Sequence, residues 1–515
     1  MKAYVKNTLI LSTCMLLSKM LGALYRIPLS NILGTEGIGL YQMVFPVYSL
    51  FLVAITGGMP VYVAQKVSKF RANNDNESIN KVIKNSVVLS MIIAIIFCFV
   101  LIVFSMPLAY LQGNKNAYLG YITVAISIIF SAITSVYKGY FQGMEVMSYN
   151  AGATIIEQII KLCVGLLGAI FLSRFGIIYA VCGAFAGVLA SEIITFIFMF
   201  FMIKKFNTSN TKGYVNAVYV KKIFKQFLPI SLASIILPLS SCVDSFLVVN
   251  LLLYTKVDVS TATSLFGIAT GMVAPMINFP ILLCGTISTA FLPTLVYMVE
   301  KKQPTKDIVS GTYFFVWLFS LPCVFGFIAI APYIINLFFP SIESQFVQTA
   351  IIYLCISSFN IIYLSITQIS TSILNGFGKF KLPFVIQTFA FILKNVIFIP
   401  LVLTTKLGII SLCVATTISE GLTCILELYL TRKNTLINLK LKKILVPLFS
   451  AIIMFIFAIV LNRYLHLNQY LNLCIIVFIS VITYFGICFA FGVIKIKEIK
   501  NMFNKNKSVN KIKYE

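Results

Sequence analysis

Apolar runs of eighteen residues or more recur from one end of this 515-residue chain to the other, separated by short loops of which every second one is rich in lysine and arginine. A helix needs about 20 apolar residues at 1.5 Å each to cross a bilayer, so each run is long enough to span one. The runs are continuous rather than alternating, which excludes a β-barrel. Charged residues make up 11% of the chain and hydrophobic ones 59%, whereas soluble domains carry about 25% charged residues. The pattern predicts an all-α polytopic membrane protein with fourteen transmembrane helices. They fall near residues 8–30, 39–65, 85–107, 117–138, 149–173, 176–203, 226–253, 263–298, 309–338, 346–374, 383–405, 408–431, 444–462 and 470–494.

A net charge of +25 invites a nucleic-acid partner, but the distribution argues against one. Of the forty lysines and arginines, thirty-one lie in the N-terminus, every second loop and the tail after Gly492; five lie in the intervening loops. This is the positive-inside pattern, with both termini on the cytoplasmic side of the membrane. The basic tail, 495–515, reads as a solvated arm drawn to anionic lipid. All twelve cysteines sit in apolar segments without a C-x-x-C pair, so they act as small core hydrophobes. The single histidine, His466, falls in a short outer loop. Metal and histidine chemistry therefore have no material, no cofactor is expected, and the chain is not read as an enzyme. The first apolar segment is too long for a cleavable signal and lacks a small-residue cleavage site.

The halves repeat. Residues 139–161 align without gaps on 372–394, setting Gly143 on Gly376 and Lys161 on Lys394; residues 189–205 align on 417–433, setting Ser191-Glu192 on Ser419-Glu420. Both matches shift the chain by six helices, an even number. The expected fold is thus two six-helix lobes, 1–205 and 206–433, related by a pseudo-two-fold axis along the membrane normal. Two further helices (434–494) and the tail follow. Eight of the sixteen prolines lie in the first, second, seventh and eighth spans. They either kink those helices statically for packing or let them bend as the lobes rock.

Charge inside the spans is expensive, at least ~2.5–3.5 kcal/mol per group at mid-depth. Nine ionisable residues are nevertheless found there. Lys19 and Arg26 stand seven residues apart on the first span, so two helical turns place them on one face. They either snorkel to a headgroup layer or line an anion-holding cavity, and that span contains no acid. Lysine and arginine on a cavity wall suit a phosphate or pyrophosphate. Glu157 precedes Lys161 by four residues, the favourable order for an intrahelical pair. Glu192 and Glu420 are repeat equivalents, with either a packing or an ion-coupling role. Asp244 either neutralises Lys19 or joins a cation site, Lys394 lies within the eleventh span, and Glu427 reads as solvated near the cytoplasmic end of its helix.

The runs SKMLGALYRIPLSNILGTEGIGLYQM (18–43) and GYFQGMEVMSYNAGATIIEQIIK (139–161), within fourteen spans, resemble one particular group of membrane transporters. This is the polysaccharide-transporter branch of the multidrug/oligosaccharidyl-lipid/polysaccharide exporter superfamily. Within it the likeness is to the stage V sporulation protein B and MurJ-type lipid II flippase group, over nearly the whole chain. The resemblance implies a cavity exposed alternately to each side, with a lipid-linked sugar as substrate and membrane lipids as surroundings. It also implies that the last two helices form a groove for the lipid tail. Lipid II flippases carry Ser-Arg-x-Leu-Gly and a second arginine on the first span. Here Ser18-Lys19-Met20-Leu21-Gly22 and Arg26 occupy those places, with lysine for the first arginine and one extra residue between. A further arginine of those proteins, on the second span, has no counterpart. The chain is expected to work as a monomer. Two other functions stay open: a cation-coupled multidrug exporter, which Asp244 and Glu192 would suit, and a membrane glycosyltransferase or polymerase, which the short, nearly uncharged outer loops disfavour.

Overall fold

The computed structural model describes residues 2–206, 214–379, 381–434, 441–464 and 468–493. The side chain of Lys19, His466 and the tail 495–515 lie outside the described residues. Among those described there are helices and no strands. The protein is a polytopic helical membrane protein. Eleven helices are long and apolar enough to cross a bilayer, or twelve if the bent pair Lys115–Ala125 and Ser127–Gly143 is one span.

The difference from fourteen has local causes. Helix α1 runs Lys2–Thr56, but Gly34 at φ 68°, ψ −175° interrupts it, so two expected spans meet in one element. Only glycine reaches that conformation without penalty. The break lies between Pro28 and Pro46, both of which sit inside continuous helix. Farther along, α9 (Ala217–Tyr254) carries Pro229 and Pro238, and its last part, Pro238–Tyr254, is apolar but short.

The expected loop 66–84 is mostly helix. α2 (Met59–Ala72) and α3 (Asn76–Val103) are joined by a tight turn with Asn74 at φ 54°. The Asp75 carboxylate caps α3 by accepting from the Ser78 N–H, which satisfies one orphan donor of the first turn. That bond and the Ser78 hydroxyl hold the Asp75 carboxyl below the usual aspartate range.

The helices gather into two compact units. One comprises Met1–Pro275, Ser341–Phe346 and Ile399–Leu412; the other Met276–Pro340, Val347–Phe398 and Cys413–Glu515. The first contains α1–α3, α4 (Ser105–Leu111), a 3-10 turn at Lys115–Ala117, α5 (Tyr118–Ala125), α6 (Ser127–Gly143), α7 (Met147–Ser173), α8 (Ile177–Phe206), α9 and α10 (Val259–Gly267). Residues 217–267 pack against α1 here, so this grouping by contact differs from the sequence repeat. A sequence repeat follows chain order, whereas a compact unit records which faces touch. The second unit holds most of α11 (Ala274–Glu300), α12 (Lys306–Phe338), α13 (Ser344–Ser357), α14 (Asn360–Gly376), α15 (Lys381–Thr404), α16 (Ile410–Asn434), α17 (Leu441–Tyr464) and α18 (Gln469–Ala490).

Glycine sets the closest approaches in the first unit. A Cβ on Gly183 would sit 2.2 Å from the Gly168 carbonyl oxygen, and one on Gly187 2.3 Å from the Gly165 Cα, so α7 and α8 touch backbone to backbone. Small residues at such crossings replace hydrophobic driving force with van der Waals packing. A second such contact joins α1 to α10. Cβ atoms on Gly39 and Gly267 would lie 2.1 Å from the Thr263 carbonyl oxygen and 2.4 Å from that of Thr35. Immediately after α10 the helix widens to a π turn at Ile268–Val273, and the Gln42 amide donates to the Thr270 carbonyl at 2.9 Å. π turns release backbone groups from the regular ladder, and here a side chain from α1 takes one.

Candidate functional site

The first-unit site starts from the α7–α8 contact. Because Gly187 rests on Gly165 and near the Lys161 carbonyl, the side chains just beyond it on both helices share one space. Lys161 is within electrostatic reach of Glu157, Glu192 and Arg26. Glu192 is 8% exposed, and its environment also includes Lys138 and Ser131. The Tyr48 hydroxyl faces the same two acids and accepts a hydrogen bond from Ser127 at 3.1 Å.

Glu157 does not form its ion pair with Lys161, the partner favoured by helical spacing. It pairs instead with Lys138 of α6 at 3.2 Å, with side-chain exposures of 28% for the lysine and 21% for the acid. Lys138 is the last residue of the expected fourth span, 117–138. In the structure it lies within α6, with its ammonium directed at α7. Asn150 of α7 fixes the same spot by donating to the Lys138 carbonyl at 2.9 Å. A cross-helix partner of this kind leaves no periodic signal in the sequence.

Arg26 stands on the unbroken first part of α1, two turns beyond Lys19. Its guanidinium lies 5.9 Å from the centre of the Phe45 ring, and Tyr25 and Tyr41 are its electrostatic neighbours. Tyr41 stacks on Phe185 with centroids 4.5 Å apart, which fixes that wall. Among the described residues no carboxylate oxygen comes within 4 Å of Arg26, since the ion pairs found are Arg71–Glu145 and Lys138–Glu157. Next to it the buried Tyr25 hydroxyl has no hydrogen-bond partner among the described residues, and neither has the Ser18 hydroxyl two turns back along α1. Unsatisfied buried groups beside an unpaired cation call for an occupant, water or ligand. Asp244, on α9, is half-buried and lies near Cys242. Its relation to the Lys19 side chain lies outside the described residues.

The second unit carries the repeat-equivalent arrangement. Lys394 of α15 is within electrostatic reach of Glu420 of α16, as Lys161 is of Glu192. The Lys394 ammonium also lies 5.6 Å from the Phe391 ring centre. Ser419 ties the two helices by donating to the Ala390 carbonyl at 2.6 Å. Glu427, expected to be solvated, is instead fully buried. Its oxygens accept from the Thr371 hydroxyl at 3.2 and 3.1 Å, and Gln387 adds a side-chain bond. The hydropathy of α16 hid this, because the burying surface comes from α14 and α15.

Extending the repeat alignment by one residue sets Lys138 on Thr371, Glu157 on Ala390 and Met199 on Glu427. One Lys–Glu contact is therefore common to both halves, whereas the second acid sits on α7 in one and on α16 in the other. Counting Arg26, the first-half cluster sets three cations against two carboxylates. A surplus of cation at membrane depth suits an anionic group and disfavours a cationic one.

Two adjacent helices in backbone contact and a charged cluster at membrane depth define a polytopic helical membrane protein. Residues 4–299 match the family model described as polysaccharide biosynthesis protein, and the chain belongs to that family. Stage V sporulation protein B of Bacillus subtilis (strain 168) is 28% identical over 312 residues, 59% of this chain and 60% of that protein. That relative is thus matched over less than two thirds of its length. Lipid II flippase MurJ of the same organism is 24% identical over 426 residues, 77% of each chain. Among solved structures, lipid II flippase MurJ in an inward closed conformation superposes with a TM-score of 0.73 at 17% identity, covering 94% of this chain and 98% of that one. An inward-facing multidrug resistance MATE family transporter of the MOP superfamily gives 0.64 at 16% identity, covering 81% and 94%. The fold is that of this superfamily.

Proposed function

We propose that this protein flips an undecaprenyl-pyrophosphate-linked sugar, lipid II or a related wall or polysaccharide precursor, from the inner to the outer leaflet by alternating access. The observation that carries the reading is Arg26: a cation on a membrane-spanning helix with an aromatic ring as its contact and, among the described residues, no carboxylate within ion-pair distance. A pyrophosphate supplies the missing charge. Arginine presents a planar fork to phosphate oxygens and lysine a point charge, so Arg26 and Lys19 together would hold both phosphates of the linkage. The Lys138–Glu157 pair and the Lys161–Glu192 contact of the same unit line the surroundings of that position. The relatives support the substrate class, since one bears the name lipid II flippase and another that of a sporulation protein. The alternation of basic loops supports cytoplasmic termini, and the six-helix sequence repeat supports two lobes, 1–205 and 206–433, that would rock against each other.

A cation-coupled multidrug exporter is the second reading, favoured by the likeness to multidrug transporters and by the buried acid Glu192 and its half-buried repeat equivalent Glu420. Complementation of a strain depleted of its own lipid II flippase separates the two, with membrane expression measured alongside. Each charge-assisted bond to phosphate contributes about 1.5–3 kcal/mol, so losing a two-pronged contact lowers flipping by roughly a hundredfold or more. Arg26→Ala and Lys19→Ala should insert normally and fail to complement. Arg26→Lys should complement weakly and Lys19→Arg fully. If both alanine variants fold and support growth, the pyrophosphate reading is wrong.

A further inference from the structure

The first unit contains a polar concavity remote from Arg26 along α1. It lies where the break after Gly34 meets the segment 110–116, the end of α9 and the start of α10. Its volume is about 590 Å³, and its lining includes Glu36, Tyr110, Lys115, Asn116, Asn250 and Val259. By the loop charges this is the outer end of the bundle.

The chemistry of this concavity differs from that of the Arg26 site. Glu36 and Lys115 oppose each other in sign, so neither a phosphate nor an organic cation finds an unbalanced charge. Three asparagines (Asn114 with the two named) make it too polar for a lipid tail. Tyr110 stands 78% exposed at the rim. The Glu36 Oε2 accepts from the Ser260 hydroxyl at 2.8 Å, and its other oxygen has no partner among the described residues. Asn250 is spent on the Leu111 and Phe246 carbonyls, at 2.6 and 2.7 Å, which leaves its amide oxygen to accept. The Asn116 amide and the Lys115 ammonium make no hydrogen bond or ion pair among the described residues. What remains is a mixture of donors and acceptors beside an exposed aromatic face, in a cavity of ordinary ligand size. A neutral polyhydroxylated ring satisfies both parts. Its hydroxyls pair with amide and carboxylate, and its C–H face covers the phenol ring.

We propose that this outer concavity is a saccharide subsite that receives the sugar of the transported lipid as it leaves. The inference rests on the flippase reading for its source of sugar. The Ser260–Glu36 and Asn250–Leu111 bonds join α10 to α1 and α9 to the last residue of α4. A sugar that takes Glu36 or Asn250 competes with these bonds and so loosens the outer end while it is bound.

The test uses the full chain in nanodiscs, with N,N′-diacetylchitobiose as a soluble probe and saturation-transfer NMR as the readout. Wild type should bind the disaccharide saturably. Tyr110→Ala and Asn116→Ala remove side chains with no structural bond, and Val259→Trp fills the cavity instead of stripping it. Each should weaken binding about tenfold, equivalent to about 1.4 kcal/mol. In proteoliposomes, disaccharide on the outer side should slow flipping by wild type and have little effect on the variants. No saturable signal up to about 50 mM, a bound state worth less than about 2 kcal/mol, overturns the site. Equal binding by all variants overturns it as well, because the sugar then sits elsewhere. Binding that leaves flipping unchanged overturns the exit role. A protein that binds the disaccharide through these residues yet flips no lipid-linked sugar refutes the flippase reading alone.

Discussion

Replacing Lys138 by methionine tests whether the charged cluster is architectural. The ammonium lies 3.2 Å from Glu157. At an effective dielectric of about 20 that separation gives a gross attraction of about 5 kcal/mol. Desolvation offsets part of this, but both side chains are less than a third exposed, so solvent screening is weak. Removing one partner of such a pair typically costs about 3–5 kcal/mol, because the other charge is left behind. Lys161, one turn along α7, remains within electrostatic reach of Glu157 and takes up some of that loss. The expected cost of Lys138→Met is therefore about 2–3 kcal/mol. Glu157→Gln on its own leaves Lys138 unpaired and should cost a similar amount. In the double variant neither charge is stranded, and most of the loss should return, giving a coupling energy near 2 kcal/mol. Unfolding in mixed micelles by titration with denaturing detergent, followed by circular dichroism, measures all four corners of the cycle. A loss below about 0.5 kcal/mol for Lys138→Met, or additivity in the double variant, would refute the reasoning.

Thr371→Val withdraws the hydroxyl that both Glu427 oxygens accept, leaving a fully buried carboxyl with one fewer donor. This should cost about 1–3 kcal/mol in the same unfolding assay, and Thr371→Val with Glu427→Leu should recover most of it. In whole cells, a single cysteine at Asn76 should resist a membrane-impermeant thiol reagent, whereas one at the exposed Lys115 should react; the reverse labelling would invert the orientation read from the loops. At the start of α10, hydrogen bonds from the Thr261 hydroxyl and N–H hold the Asp258 carboxyl below the usual aspartate range. A depressed acid stabilises the helix above that range and loses the effect as pH falls through the lowered value, so amide exchange at 259–262 should quicken in acid. Asp258→Asn keeps the cap and should abolish that dependence.

The helical class and most span positions were legible because burial in lipid imposes long apolar runs on the sequence. The symmetry between Lys161–Glu192 and Lys394–Glu420 was half-legible. Alignment found the equivalent residues on neighbouring helices, but only packing shows that each lysine faces its acid. Lys138 and Glu427 escaped for one shared reason. Both sit near the end of an apolar run, where hydropathy cannot distinguish a residue entering water from one covered by neighbouring helices. The favourable Glu157–Lys161 spacing was a sound local rule, overruled by a closer partner on α6. At 66–84 the basic composition suggested a loop, yet Asp75 and the tight turn at Asn74 let two helices continue almost to each other.

The meeting of Gly39 with Thr263 and of Gly267 with Thr35 has a mechanical consequence. Most helix contacts are cushioned by side chains that can change rotamer, so their separation spreads over a range. Here main-chain atoms meet main-chain atoms, and no deformable layer lies between them. Such a contact behaves as a hard stop. α1 and α10 can separate, but they cannot close past one fixed distance set by atomic radii. Thermal motion should therefore broaden the separated arrangement of these two helices while leaving the closed one sharply defined.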